Sequence, residues 1–468
     1  MLKKTTFFFF GLSIPVLFLA ACTTTSEAPS VVLTDKQVED IVRRSYQYVA
    51  LFNVIHKATL APPAGTGGFN KMSVATTLFD HNVKLIARPN NDTLYIICMM
   101  DLRKDPIILD IPAFESKYVS LMAVAYDHYV NVPLTTRLGD FRKPEKVLFY
   151  SARTEAYHGE TVEGVVRTFE MTGDFVTVVF RVMPHANEPE RFERIKDQMK
   201  SVGMQTLSDY RGGEAKPIDD IEFPPFGKTD ADIFGNNLLE VMQFVFNHTT
   251  FDPNDDIDRG VLAAYKPLGV EPDKPYDAST ANKIDGERFR KISQEVQVRK
   301  LGLLGDSEWS AEIAPRLLRP KGETDLETLL SVSVIGPIGL PMEEAMYPPL
   351  TTTDGERMNA LNDYAIRMTK DELPSAQAFW SLTLYDLQNG FFIPNDRKKY
   401  SVGENAGMKL NNDGGIEIYV AADKPEGVPG ENWLPINRKD EDMDIILRIY
   451  VPDLEKMKTW SPPKAEKL

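Results

Sequence analysis

Residues 94–100 read LYIICMM, and together with residues 118–125 (YVSLMAVA) and 175–182 (FVTVVFRV) they decide the fold class. Each run is short, rich in β-branched and aromatic residues, and bounded by turn formers such as Thr172-Gly173-Asp174. No helical stretch separates neighbouring runs between residues 94 and 182. Strands at this close spacing predict an antiparallel sandwich rather than alternating strand–helix units.

Helical and strand-like patterns alternate on either side of this stretch. Residues 34–53 have apolar residues at helical spacing, and Thr34 and Gln37 stand at the spacing of a capping box, so a helix precedes the strands. Helical spacing returns in four later segments, which are Phe192–Val202, Asp232–Asn247, Asp255–Leu268 and Ala281–Leu304. Residues 331–350 look like a connector, and strand-like runs resume from Ala376. The sequence therefore predicts a mainly β protein with a helical insert.

The domain boundaries follow from these changes. We predict a signal peptide at 1–22, a flexible tether at 23–33, an N-terminal helix plus β-sandwich at 34–187, a helical segment and connector at 188–350, and a C-terminal β domain at 351–468.

Composition excludes several classes of protein. The chain has 468 residues and a net charge of −15, which disfavours a nucleic-acid partner because phosphates would be repelled. Two cysteines exclude a disulfide framework. Six scattered histidines show no close pair at ligand spacing, so we expect no metal site, although distant ligands could converge. Glycine patterns for phosphates or dinucleotides are absent, and we expect no cofactor.

The N-terminus carries the clearest localisation signal. Lys3 and Lys4 precede an apolar stretch that ends in Leu19-Ala20-Ala21-Cys22, as in a secretory signal peptide. The ending looks like a bacterial lipobox, which implies that Cys22 is acylated and becomes the mature N-terminus. The resulting lipid anchor would make the membrane a partner. Thr23 after the cysteine resembles the sorting pattern for the outer membrane, so we expect a lipid-anchored envelope protein that faces the periplasm.

Three groups of residues could carry chemistry. In the first, either Asn91 and Asp92 fold back on their own backbone in Asx turns, or Asn90, Asp92 and Tyr95 project polar groups into a cleft. In the second, Asp127 and His128 resemble an acid–base pair, but neighbouring strand residues point to opposite faces, whereas Asp127 and Tyr129 could share one.

The third group is aromatic and lies in the C-terminal strands. Alternation places Trp380, Leu382 and Leu384 on one face of a strand and Phe379, Ser381, Thr383 and Tyr385 on the other. Such a stripe belongs either to a core or to a pocket for an apolar ligand. The candidate ligand-binding residues of this group are Trp380, Tyr385, Trp433 and Arg448.

Two sets of motifs carry a family resemblance. The stretch Asn90-x-Asp92-Thr93-x-Tyr95, followed by Asp101-Leu102, Pro106, Pro112 and Lys117-Tyr118, resembles domain of unknown function 1254. The set Phe379–Tyr385, Pro394-Asn395, Asn432–Pro435, Arg448-x-Tyr450 and Trp460-x-Pro462-Pro463 resembles its usual bacterial partner, domain of unknown function 1214. One departure is Lys117, where the family tends to carry arginine. The resemblance implies an immunoglobulin-like sandwich, a helical segment and a jelly-roll-like C-terminal sandwich, but no reaction.

Two functions remain open from the sequence. The first is an envelope lipoprotein that binds a small, partly apolar ligand or serves a structural role. The alternative is a hydrolase or lyase that acts in a cleft between the β domains, with Asp127, His128 and Asp92 as catalytic residues and Arg448 or Asn90 stabilising negative charge. A homo-oligomer is compatible with either function.

Overall fold

The computed structural model describes residues 31–468 except 61–65, 85–87, 156, 215, 219–220, 304–311 and 349. The predicted signal peptide, most of the tether and the lipidation residue Cys22 lie outside the described residues. Within the described ranges, no helix combines the length and the apolar character needed to cross a membrane.

The N-terminal half contains nine strands. They are β1 (Lys71–Ala75), β2 (Leu94–Asp101), β3 (Ile107–Ile111), β4 (Val119–Val124), β5 (Val130–Thr135), β6 (Glu145–Ser151), β7 (Arg167–Met171), β8 (Phe175–Val182) and β9 (Gly203–Thr206). One sheet has the order β1-β2-β8-β4-β5 and the other β7-β6-β3-β9. Their apolar faces enclose a common core, which confirms the predicted sandwich. Within these sheets the pairing is antiparallel except between β6 and β7.

The described helices come from distant parts of the chain. They are α1 (Asp35–Leu60), α2 (Pro189–Lys200), α3 (Leu207–Tyr210), α4 (Asp230–Asn236), α5 (Leu238–Asn247), α6 (Asp256–Tyr265), α7 (Gly286–Gly302), α8 (Leu326–Ile335) and α9 (Leu454–Met457). Helix α1 packs against α4 to α8. This group shares a core with one face of the sheet that has the order β1-β2-β8-β4-β5. The first helix is therefore a spatial neighbour of the central helices.

Helix boundaries follow local capping. Thr34 and Gln37 form the predicted capping box of α1. The Asp255 carboxylate accepts hydrogen bonds from the backbone at the start of α6. The predicted helix 232–247 is instead two helices that meet at Asn237. The predicted connector 331–350 begins inside α8, because the Asp325 side chain caps a helix that runs to Ile335.

Strand β8 explains why the deciding stretch is apolar throughout. Val176, Val178 and Phe180 face the sandwich core, whereas Phe175 and Val179 on the opposite face meet the helices. A strand covered on both faces reads as a continuous apolar run rather than as an alternating one.

The C-terminal half is a second sandwich. Its strands are β10 (Ala345–Met346), β11 (Thr351–Thr352), β12 (Met358–Asn359), β13 (Tyr364–Met368), β14 (Ala376–Asp386), β15 (Ser401–Gly403), β16 (Ile416–Ala421), β17 (Trp433–Pro435), β18 (Asp442–Pro452) and β19 (Lys464–Lys467). One sheet follows the order β10-β18-β14-β15, with β12 also paired to β18, and the other β11-β19-β13-β16-β17.

Strand β14 joins the two sandwiches. Trp380, Leu382 and Leu384 point into the core of the C-terminal sandwich, as the alternation predicts. Phe379 on the other face packs with Tyr118 and Met183 of the N-terminal half. The second face of this sheet is therefore buried by the first domain, and the polar residues on it become interdomain residues.

Candidate functional site

A buried polar cluster lies between the two sandwiches. We call it the interdomain cluster, and its members are Asn90, Asp92, Tyr95, Arg181, Tyr347, Ser381, Tyr385, Arg448 and Tyr450. The turn before β2 and the end of β8 supply the N-terminal residues, and the outer faces of β14 and β18 supply most of the others. The site therefore exists only where the two domains meet.

The turn before β2 is the first component of the cluster. Asn90 Oδ1 accepts a hydrogen bond from the Asp92 amide at 2.6 Å, so the Asx turn forms at Asn90 rather than at Asn91 or Asp92 as predicted. Asn90 Nδ2 also donates to the Tyr450 hydroxyl across the interface, again at 2.6 Å. The turn therefore places its polar side chains against the second domain.

Asp92 is the carboxylate of the cluster. It is 2% exposed, and its Oδ2 accepts a hydrogen bond from the Ser381 hydroxyl at 2.6 Å. Burial raises the pKa of Asp92, and the positive charge of Arg448 and the hydroxyls of Ser381 and Ser401 oppose that shift.

Arg448 is held by the second domain and by the turn of the first. Its Nη2 donates to the Tyr385 hydroxyl at 2.8 Å and to the Arg88 carbonyl oxygen at 3.1 Å. The Tyr385 hydroxyl in turn donates to the Pro89 carbonyl oxygen at 2.5 Å. Burial raises the pKa of Tyr385 to about 12, so this hydroxyl stays neutral. Arg448 Nη1 is buried and has no hydrogen-bond partner.

Arg181 is a second buried guanidinium, near the end of β8. Its Nη2 donates to the Ile338 carbonyl oxygen at 3.3 Å, and its Nη1 is buried without a partner. The guanidinium carbon lies 5.9 Å from the centroid of the Tyr95 ring, and that ring stacks on Phe79 at 5.2 Å. Arg181 is thus positioned by an aromatic face and one carbonyl rather than by a carboxylate.

Tyr347 brings the two arginines into one site. Its residue surface is 45% exposed, while burial of its hydroxyl end raises its pKa. The charges of Arg181 and Arg448 both oppose that increase. The charges of both guanidinium groups therefore act on the same side chain, which belongs to a partly exposed residue.

Two open cavities adjoin the interface. One of about 260 Å³ is lined by residues of both domains, including Asn91 and Ser401, and the other, of about 520 Å³, includes His185 and Lys409. Both cavities include Asn187 and Ala406 in their walls, so they are adjacent. The Ser401 hydroxyl donates to Asn91 Oδ1 at 3.2 Å and lies close enough to Asp92 to lower its pKa. The smaller cavity therefore borders the interdomain cluster.

The structure places His128 elsewhere. Its ring nitrogens lie 2.7 Å from the Ser333 hydroxyl and 2.7 Å from the Pro337 carbonyl oxygen. Since a carbonyl only accepts, Nε2 carries the proton and Nδ1 accepts from Ser333. Burial lowers the pKa of His128 to about 4. The ring is a neutral, fully bonded structural element.

Asp127 lies in a different polar group beneath the helices. We call it the helix-side cluster, and its members are Gln47, Tyr48, Asp127, Tyr129, Asp258 and Lys321. Burial raises the pKa of Asp127 to about 6, against the opposing charge of Lys321. These residues lie in the loop between β4 and β5 rather than in a strand, and there Asp127 and Tyr129 share one environment whereas His128 contacts other partners. Asp127 therefore does not join Asp92 in one site.

The two predicted tryptophans also lie outside the interdomain cluster. Trp380 is buried in the core of the C-terminal sandwich. Trp433 donates its indole N–H to the Ala421 carbonyl oxygen at 2.8 Å, and the Arg397 guanidinium lies over its ring. Trp380 thus fills the core, which is the alternative given for the aromatic stripe, whereas Trp433 lies on the outer face of its sheet beside Tyr419.

Four residues of the cluster, Arg181, Tyr347, Ser381 and Tyr450, escaped the sequence analysis as site residues. Ser381 was placed on a strand face but not in a site. Arg181 had a visible signal, because it is the one charge in the apolar run 175–182. Tyr450 belongs to a family motif, but nothing in its spacing points to Asn90. Tyr347 follows the irregular segment after α8 and carries no local signal.

These features define a class of protein: two β-sandwiches with a helical body packed on the first and a buried polar cluster between the sandwiches. Family models then place the chain more closely. Residues 69–202 match a protein of unknown function, DUF1254, and residues 344–454 match another, DUF1214. The chain therefore belongs to the proteins that pair these two domains, in the order that the motifs indicated.

A solved structure supports the fold. A crystal structure of the VPA0106 protein from Vibrio parahaemolyticus superposes with a TM-score of 0.69 at 20% sequence identity, covering 93% of this chain and 100% of that one. A putative uncharacterized protein from Burkholderia cenocepacia gives a TM-score of 0.40 at 13% identity, over 92% of this chain and 93% of its own. No curated protein matches the sequence.

Proposed function

We propose that the protein is a cell-envelope lipoprotein that binds a small, partly apolar molecule between its two β domains. The observation that carries the binding part is convergence. Asn90, Asp92 and Tyr95 come from one domain and Tyr385 and Arg448 from the other, and contacts across the interface join them.

Unpartnered polar atoms favour binding over a purely structural interface. Buried polar groups are normally hydrogen-bonded, because an unpaired one costs about 1–3 kcal/mol. Arg181 Nη1, Arg448 Nη1 and the Thr383 hydroxyl are all buried on this interface and have no partner among the residues that the structure describes. A bound molecule with acceptor atoms would satisfy such donors, and the adjoining cavities provide a volume in the range of small-ligand sites.

Equilibrium dialysis tests the binding part. The mature chain is dialysed against a small-molecule extract of the source bacterium, and retained molecules are identified by mass spectrometry. Arg448→Met is the site variant, and Arg167→Met is the control, since Arg167 pairs with Asp140 and Glu145 away from the interface. We expect molecules that the wild type and the control retain and the site variant does not. Retention of nothing by the wild type would refute binding, and a retained molecule that returns chemically altered would favour the hydrolase or lyase.

The envelope part of the proposal rests on residues 1–22. A cationic start, an apolar stretch and Leu19-Ala20-Ala21-Cys22 form a lipoprotein leader, and multiple acyl chains would hold the protein firmly at a membrane. Metabolic labelling with palmitate tests this part. Cys22→Ser should lose the label and the membrane fraction, whereas Cys98→Ser should keep both, because Cys98 is a buried core thiol. Label that persists in Cys22→Ser would contradict the anchor.

A further inference from the structure

The interdomain cluster contains more positive than negative charge. Arg181 and Arg448 are 5% and 4% exposed, and Asp92 is the carboxylate beside them. The neighbouring Glu344 is already paired, since its Oε1 accepts from Arg137 Nε at 2.6 Å and its Oε2 accepts from the Thr135 hydroxyl at 2.7 Å. With Asp92 ionised, the cluster keeps one uncompensated positive charge.

An uncompensated buried charge is costly unless a counter-charge can reach it. Each arginine keeps one N–H-bearing nitrogen, Nη1, without an acceptor among the described residues. The charges of both groups act on Tyr347, which is 45% exposed. The free donors and the spare charge thus lie near a partly exposed residue of the cluster.

We infer that the interdomain cluster binds the carboxylate of its ligand, with Nη1 of Arg181 and Nη1 of Arg448 as the donors and Tyr347 at the entrance. This inference rests on the proposed function and names the chemical class of the ligand. Guanidinium groups suit the planar geometry of a carboxylate and form strong charge-assisted hydrogen bonds with it. A single negative charge neutralises the one uncompensated positive charge of the cluster. The two charges of a phosphate dianion would leave the cluster with a net negative charge.

The aromatic residues in and around the cluster indicate the chemical character of the rest of the ligand. Tyr95 stacks on Phe79, and Tyr450 stacks on Phe379 with ring centroids 4.2 Å apart. Tyr118 lies 5.2 Å from the Tyr450 ring. Aromatic faces next to an anion-binding centre favour a carboxylate that carries an apolar or aromatic body.

Calorimetric titration with matched probes tests the inference. Benzoate and hexanoate are the carboxylates, and benzamide and hexanamide are their neutral isosteres. We expect the wild type to bind at least one carboxylate about ten-fold or more tightly than its amide, because a hydrogen bond to a charged group contributes more than a neutral one.

The variants make the result specific. Arg181→Gln should bring the carboxylate-to-amide affinity ratio close to one, and Arg167→Gln should leave it unchanged. Thermal melts establish that each variant is folded, and Arg181→Lys, which keeps the charge, should recover part of the ratio. The ratio is informative because a merely structural defect would lower the affinities for the carboxylate and for its amide together.

The remaining outcomes separate this inference from the proposed function. Equal binding of a carboxylate and its amide would overturn the inference and leave the binding function standing. If no probe binds, the inference is overturned, and the dialysis against cell extract decides the binding function independently. A ratio that survives in Arg181→Gln would also overturn the inference.

Discussion

The molecule contains two buried polar clusters of opposite character. The interdomain cluster combines two arginines with one aspartate, and the helix-side cluster combines two aspartates, Asp127 and Asp258, with Lys321. Both contain side-chain atoms without hydrogen-bond partners. Their surroundings differ, since Tyr347 opens the interdomain cluster to solvent whereas Tyr48, Asp127, Tyr129 and Asp258 are 0% exposed.

This difference indicates what each cluster contributes. Unpaired polar atoms at an accessible interface can be satisfied by a ligand, and their cost is then recovered on binding. Unpaired atoms enclosed by α1, α6 and the β4–β5 loop lower the stability of the fold itself. We therefore expect mutations in the helix-side cluster to change stability most, and mutations in the interdomain cluster to change binding most.

The largest effect is expected for Lys321→Met. Lys321 Nζ pairs with Asp258 Oδ2, and its charge also acts on Asp127. Removing one partner of a buried pair leaves an uncompensated charge, so the free energy of unfolding should fall by about 3–5 kcal/mol in urea titrations. The exposed Lys458→Met is the control and should change stability by less than about 0.5 kcal/mol. Equal effects of the two substitutions would contradict the role of this ion pair.

Asp127→Asn should stabilise the protein, and the gain should depend on pH. The pKa of Asp127 is raised from 3.8 to about 6, so the folded state binds the proton more tightly than the unfolded state. The stability contributed by this proton is complete below pH 3.8 and is lost as pH rises through about 6. The isosteric amide avoids that loss, which amounts to about 3 kcal/mol. Urea titrations at pH 4 and pH 8 should show the larger gain at pH 8, and a gain independent of pH would refute the assignment.

Arg448→Met should cost about 2 kcal/mol of unfolding free energy, because hydrogen bonds to the Tyr385 hydroxyl and the Arg88 carbonyl are lost. The loss is limited because Asp92, whose pKa is raised, can take up a proton instead of remaining an unpaired charge. Adding Asp92→Asn should recover part of the loss in a double-mutant cycle. Strict additivity of the two substitutions would show that these groups do not interact.

Arg181→Gln should have the smallest effect on stability, less than about 1 kcal/mol. The side chain makes one hydrogen bond to the Ile338 carbonyl oxygen and leaves Nη1 unpaired, so little bonding is lost. A denaturant midpoint close to that of the wild type, together with the loss of carboxylate selectivity, would sharpen the contrast between the clusters. A loss of unfolding free energy as large as that of Lys321→Met would contradict the contrast between the two clusters.

Local patterns predicted most of the architecture. Alternation along β14 correctly assigned Trp380 to one face and Tyr385 to the other, because successive strand residues point in opposite directions. The same rule does not account for the separation of His128 from Asp127, because both residues lie in the loop between β4 and β5, where His128 has a left-handed backbone (φ 66°). Local patterns also could not show that Asp127 and Asp92 belong to different clusters, since that depends on how helices from distant parts of the chain cover one sheet.

The sequence by itself determined most of the strands and helices and the pairing of the two domains, because each of these depends on neighbouring residues or on motifs with fixed spacing. Tertiary structure alone decided the site. The hydrogen bond from Asn90 to Tyr450 joins residues 360 positions apart, and Arg181 and Tyr347 enter the same cluster only when the outer face of β14 and β18 packs against the first domain. No local periodicity encodes that contact, because it arises from the docking of two separately folded surfaces.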